Sequence, residues 1–130
     1  MIVGDLSMLT ATCHVRAIVS IGLFVSVWAA QAQAHAKLVT ANPAPNATVA
    51  APKTIHLEFS EELAKRFSTF KLTDPDGKPL ATVVVDSKDA KAMEGMPNAT
   101  LAPGIYTVSW TAVSTDDGHK TTGSYRFTVK

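Results

Sequence analysis

The sequence predicts an all-β chain, a seven-stranded antiparallel β-sandwich. Three observations lead there. Apolar and polar residues alternate with period two in run after run. Clusters of Pro, Asn, Asp and Gly separate those runs. Only Glu61 to Phe67 could form a helical turn. Seven short strands in under 100 residues is the pattern of an antiparallel sandwich.

The first strand runs from Lys37 to Thr40 and stops before Asn42-Pro43-Ala44-Pro45-Asn46. In the second, Ile55, Leu57 and Phe59 alternate with His56, Glu58 and Ser60, so one face is apolar and the other wet. Phe70 and Leu72 mark the third, which ends at the turn Asp74-Pro75-Asp76-Gly77. The valine-rich stretch from Leu80 to Asp86 is the fourth, and Lys91 to Met96 a weaker fifth. The sixth, Ile105 to Val113, puts Tyr106, Val108 and Trp110 on one face. The last, Gly123 to Val129, does the same with Tyr125, Phe127 and Val129. Tyr106 follows the tight turn Pro103-Gly104 into a late strand, so it is either a tyrosine corner or an ordinary core tyrosine.

These elements all lie beyond residue 34. Ala17 to Ala30 is a run of 14 residues without a charge, preceded by Arg16 and followed by Ala32-Gln33-Ala34. A positive flank, an apolar stretch and an Ala-x-Ala ending make a secretory signal peptide. The run is short for a membrane span, which needs roughly 20 apolar residues. Residues 1–34 are therefore expected to be a cleaved signal, with Met8 an alternative start that would drop Asp5, and residues 35–130 the exported domain. The single cysteine, Cys13, leaves with the signal, so the domain has neither disulfide nor thiolate.

Charge and motifs exclude several functions. With 12 Lys+Arg against 11 Asp+Glu the chain has no basic surplus for nucleic acid. It has no GxGxxG, no Walker-type loop and no GxSxG. No Ser/His/Asp spacing supports nucleophilic catalysis, so no enzyme activity is expected.

What remains is a ligand set. After cleavage the domain begins with His35, which offers a metal both its α-amine and its ring Nδ1 from one residue, a chelate that costs little chain entropy. Asp117-Gly118-His119 adds a carboxylate and an imidazole two residues apart, with a glycine that lets the backbone bend between them. Asp116 is a rival for Asp117, but the one-residue gap to His119 favours Asp117. Amine, two imidazoles and a carboxylate form an N₃O set that suits Cu(II). Zinc would accept these donors in a tetrahedron, and iron sites also use two histidines and a carboxylate while keeping positions open. His35 and His119 are 84 residues apart, so only the fold can bring them together. Met93 and Met96 are soft donors of the kind Cu(I) takes, but such a pair more often packs a strand. His56 reads as a solvated strand histidine, sharing a face with Glu58.

His35-Ala36-Lys37-Leu38, Phe59-Ser60-Glu61, Pro103-Gly104-Ile105-Tyr106-Thr107-Val108-Ser109-Trp110 and Val113-Ser114 leading to Asp117-Gly118-His119 together resemble the CopC family of periplasmic copper-resistance proteins. The resemblance implies an Ig-like Greek-key β-sandwich or barrel and one Cu(II) ion held by His35, Asp117 and His119 in a periplasmic carrier; the mature form is expected to be monomeric and not to span the membrane. It further implies delivery to a CopD-like inner-membrane copper transporter. Some members carry a methionine-rich Cu(I) loop between the third and fourth strands. Here that place reads Thr73-Asp74-Pro75-Asp76-Gly77-Lys78-Pro79, so the chain resembles the Cu(II)-only members. Two other readings are a copper oxygenase built on an N-terminal histidine and a metal-free Ig-like interaction module.

Overall fold

The computed structural model describes residues 35–130; the expected signal segment lies outside the described residues. Nine strands are present among them: β1 (Leu38–Asn42), β2 (Thr48–Val49), β3 (Ile55–Phe59), β4 (Thr69–Thr73), β5 (Pro79–Leu80), β6 (Thr82–Val85), β7 (Ala92–Pro97), β8 (Gly104–Val113) and β9 (Lys120–Val129). They form two sheets, in the orders β1-β3-β7-β6 and β2-β9-β8-β4-β5. All pairings are antiparallel except β2 with β9. This is the expected sandwich, and no α-helix occurs among the described residues.

The alternation read in the sequence is what fills the space between the sheets. Ile55, Leu57 and Phe59 of β3 face Phe70 and Leu72 of β4, Val108 and Ala112 of β8, and Phe127 and Val129 of β9 in one buried cluster. Trp110 meets Phe59 edge-on at 5.1 Å, joining the two sheets. Gly123 lies opposite Trp110 on β9, and a Cβ there would come within 2.4 Å of the indole. Glycine is thus required by close approach. The Tyr106 hydroxyl donates to the Ala102 carbonyl at 2.8 Å, the bond of a tyrosine corner.

The strand count exceeds the expected seven for two reasons. The predicted strand from Leu80 to Asp86 breaks at Ala81. Pro79–Leu80 pairs with β4 in one sheet and Thr82–Val85 with β7 in the other. One valine-rich run thus serves both sheets by turning a corner, as strands that switch sheets do. The second addition, β2, is two residues long, too short to show a period, and pairs Thr48 with Thr128 and Val49 with Val129. The last strand also begins earlier than its apolar pattern, because ten-residue β8 needs a partner as far as Val113, which pairs with Lys120. The Glu61–Phe67 stretch closes one turn only, with the Phe67 and Ser68 N–H groups both donating to the Ala64 carbonyl.

Candidate metal centre

The β8–β9 hairpin is closed by residues 114–119, and this connection carries two of the predicted ligands. The Ser114 N–H donates to the His119 carbonyl and the Gly118 N–H to the Ser114 carbonyl, both at 3.1 Å. Gly118 takes φ +69°, the left-handed region where a side chain is disfavoured. The bend folds Asp117 onto His119. Asp117 Oδ1 accepts the His119 backbone N–H at 2.9 Å, and Oδ2 lies 2.6 Å from ring Nδ1. The backbone bond, then the ring bond, hold the Asp117 carboxyl below its ordinary value of 3.8, and the nearby His35 ring adds to the effect. With Nδ1 donating to the carboxylate, the free lone pair of the His119 ring lies on Nε2. The His119 side chain is 64% exposed, so that nitrogen is open to solvent.

His35 arrives from the other sheet. Its neighbour Ala36 is fully buried in the core and fixes the start of the arm. Ser60, just past β3, holds the arm from the side. Its N–H donates to the Lys37 carbonyl at 2.8 Å, and its hydroxyl accepts the Lys37 N–H at 3.0 Å. The same hydroxyl donates to the His35 carbonyl at 3.4 Å. The His35 ring stands edge-on to His119 with centroids 5.2 Å apart. One ligand atom from each of His35, Asp117 and His119 lies within 4.8 Å of the others. Asp116 is not in that cluster.

Support that the spacing arguments missed comes from Glu61 and Ser114, which are 53 residues apart. Ser114 is buried; its hydroxyl donates to Glu61 Oε2 at 2.9 Å and accepts the Asp116 N–H at 3.2 Å. The Thr115 N–H donates to the Glu62 carbonyl, so the hairpin tip is pinned to the segment after β3. Both residues stood in the motifs that carried the family resemblance, which was the only available signal.

The other candidates fall elsewhere. Met93 faces the core, whereas Met96 is exposed on the opposite face of β7; three residues apart on a strand, they cannot meet at one ion. His56 is half-buried and its Nδ1 lies 2.7 Å from Glu94 Oε1, directly across the β3–β7 ladder. It is therefore paired, not simply solvated as the sequence suggested.

Residues 38–130 match the CopC domain family. The chain is 42% identical over 123 residues to copper resistance protein C of Escherichia coli, covering 88% of this chain and 96% of that protein. It is 44% identical over 108 residues to protein YobA of Escherichia coli strain K12, covering 81% and 82%. Among solved structures it is similar to PcoC, a methionine-rich copper resistance protein from Escherichia coli (TM-score 0.70, 42% identity, 75% of this chain and 100% of that one). It is also similar to CopC from Methylosinus trichosporium OB3b (TM-score 0.67, 32% identity, 74% and 94%).

Proposed function

The chain belongs to the CopC family, and from that premise we propose that it is a periplasmic carrier of one Cu(II) ion, bound through His35, Asp117 and His119. The observation that supports this most is the convergence of three donors from opposite ends of the chain within 4.8 Å. Cleavage after Ala34 supplies a fourth donor, the His35 α-amine. The set is then three nitrogens and one carboxylate, with no thiolate or thioether, which suits Cu(II) over Cu(I).

Each residue has a distinct task. His35 chelates through amine and ring. Asp117 supplies the carboxylate donor and offsets part of the ion's charge, and its bond to the His119 backbone N–H holds the turn that carries the ring. Glu61, Ser114 and Ser60 hold the two arms in place. Asp117 takes the place that an oxygen-activating centre would keep open, so the reading is a carrier or sequestering protein without catalysis. The exposed His119 ring leaves the ion accessible to an acceptor, in keeping with copper resistance and with delivery to an inner-membrane transporter.

The test compares protein beginning at His35 with protein beginning Met-His35. In the second, the His35 nitrogen is an amide that holds its proton. Both forms should melt at the same temperature, because Ala36 and β1 are unchanged. The extended form should bind Cu(II) much more weakly, as followed by titration and electron paramagnetic resonance. Equal affinity would remove the amine from the ligand set and overturn the site as proposed.

A further inference from the structure

The outward face of the β9-β8-β4 sheet has a composition that neither the core nor the metal centre requires. Its rows, read from the strand register, are Thr69-Thr111-Thr122, Lys71-Ser109-Ser124 and Thr73-Thr107-Arg126, with Val113-Lys120 at the end nearest the hairpin tip and Ile105-Thr128 at the other. The ten carboxylates of residues 35–130 all lie elsewhere in the sequence, none of them within β4, β8 or β9. Three cations, Lys71, Lys120 and Arg126, stand on the face. Among the described residues the only ion-pair contacts are His56–Glu94 and His119–Asp117, so none of the three is neutralised by a partner. A chain whose formal net charge is only +1 thus carries one wholly cationic sheet face.

The face is also continuous, and apolar at its ends. The register of β8 with both neighbours runs without a bulge. Small hydroxyl side chains leave a shallow trough of about 440 Å³ along its middle. At one end Ile105 is 52% exposed. At the other, Phe67 is 70% exposed and shares a groove with Thr111, Val113 and Lys120 of this face. Strand and row spacings make the cationic area roughly 10 by 20 Å.

The geometry points to this face as a docking surface for an anionic phospholipid membrane. Unpaired cations on one sheet face complement a surface of phosphates, the hydroxyls donate to headgroup oxygens, and Phe67 and Ile105 enter the interface at either end. The face carries no exposed aromatic ring in its middle on which a sugar or base could stack. Lys120 directly follows His119, so a chain lying on this face holds its metal loop at the membrane edge. The inference goes beyond the copper reading and does not require it.

The test is co-sedimentation of metal-free protein beginning at His35, which contains both sheets and the whole described core, with vesicles. Phosphatidylglycerol-containing vesicles should bind it and pure phosphatidylcholine vesicles should not. Binding should fall about fivefold for Lys71→Ala and again for Arg126→Ala, the worth of one cation near an anionic surface. The double variant K71E/R126E should not bind measurably, whereas Lys88→Glu, in the β6–β7 loop, should bind as the parent does. Phe67→Ser should weaken vesicle binding but leave retention on dextran sulfate unchanged. Equal binding to both vesicle types, or parental binding by K71E/R126E, would overturn the proposal. So would retention on dextran sulfate with no vesicle binding, which would assign the face to a soluble polyanion. Melting curves and Cu(II) titrations of the same variants should match the parent, which separates this outcome from the fate of the copper site.

Discussion

Replacing Ser114 by alanine should damage both the fold and the metal centre, by amounts that follow from its surroundings. Ser114 is 1% exposed, and its hydroxyl makes two bonds, one donated to the Glu61 carboxylate and one accepted from the Asp116 N–H. A hydrogen bond to a charged group contributes about 1.5–3 kcal/mol and a neutral one about 1 kcal/mol. Glu61 is only partly buried and Asp116 is exposed, so water recovers some of that loss. A net cost of about 2 kcal/mol is expected, which for a domain of this size lowers Tm by about 8–16 °C. Because the same bonds pin the tip that carries Asp117 and His119, Cu(II) affinity should fall by about 10–100-fold, the usual penalty for losing an outer support of a metal site. Thermal melts without metal and Cu(II) titration read the two effects separately. A double-mutant cycle with Glu61→Gln should show that the two losses are not additive. A Tm within about 2 °C of the parent, a shift worth under half a kcal/mol, together with parental affinity would refute the reasoning. The tip would then hold its shape without the Ser114–Glu61 bond.

Other outcomes follow from single residues. The Tyr125 hydroxyl is buried without a hydrogen-bond partner, so Tyr125→Phe should raise stability by about 1 kcal/mol in denaturant melts. Burial also pushes the Tyr125 phenol up from 10.0 to about 12. Its neutral form is therefore favoured in the fold, and the parent should lose stability as pH rises from 10 towards 12, a loss the phenylalanine variant lacks. Gly123→Ala would drive a methyl to 2.4 Å from the Trp110 ring and should cost about 1–3 kcal/mol by overpacking, measured the same way. Cu(II) affinity should fall as the solution is acidified, because protons compete with the ion for the imidazole and amine nitrogens. Asp117 should not contribute to that drop. Its carboxyl is held below 3.8, so it stays ionised throughout and its stabilising bonds are lost only at lower pH. A flat titration from pH 7.5 to 5 would argue against nitrogen ligands.

The period-two pattern made the sandwich legible because each strand presents one face to a core only two sheets thick. Ile55-Leu57-Phe59 and Tyr125-Phe127-Val129 could hardly be read otherwise. It failed where the chain leaves a single sheet. Val83, Val84 and Val85 look like one buried strand with Leu80, but Ala81 is a corner, and Val83 and Val84 are largely exposed beside the edge. The candidate donors were legible because they are chemically unusual, a histidine after an expected processing signal and an Asp-Gly-His turn. Their supports were not, because a serine and a glutamate 53 residues apart have no local signature. Nor was the pairing of His56 with Glu94, which depends on the register of β3 against β7.

The three clustered donors straddle the open seam of the sandwich. His35 leads into β1, at the edge of one sheet, while Asp117 and His119 cap the hairpin of the other. A domain without a cysteine has no covalent stitch between its layers. An ion gripped on both sides of the seam would serve as one, closing a loop of 84 residues and stabilising the fold in proportion to its own affinity. The same arrangement sets the way out. Ala36 is the fulcrum, and swinging His35 away from Ser60 would undo the clasp at one end without opening the core. Letting go of the cargo would then require only that His35 lift, while both sheets stay closed.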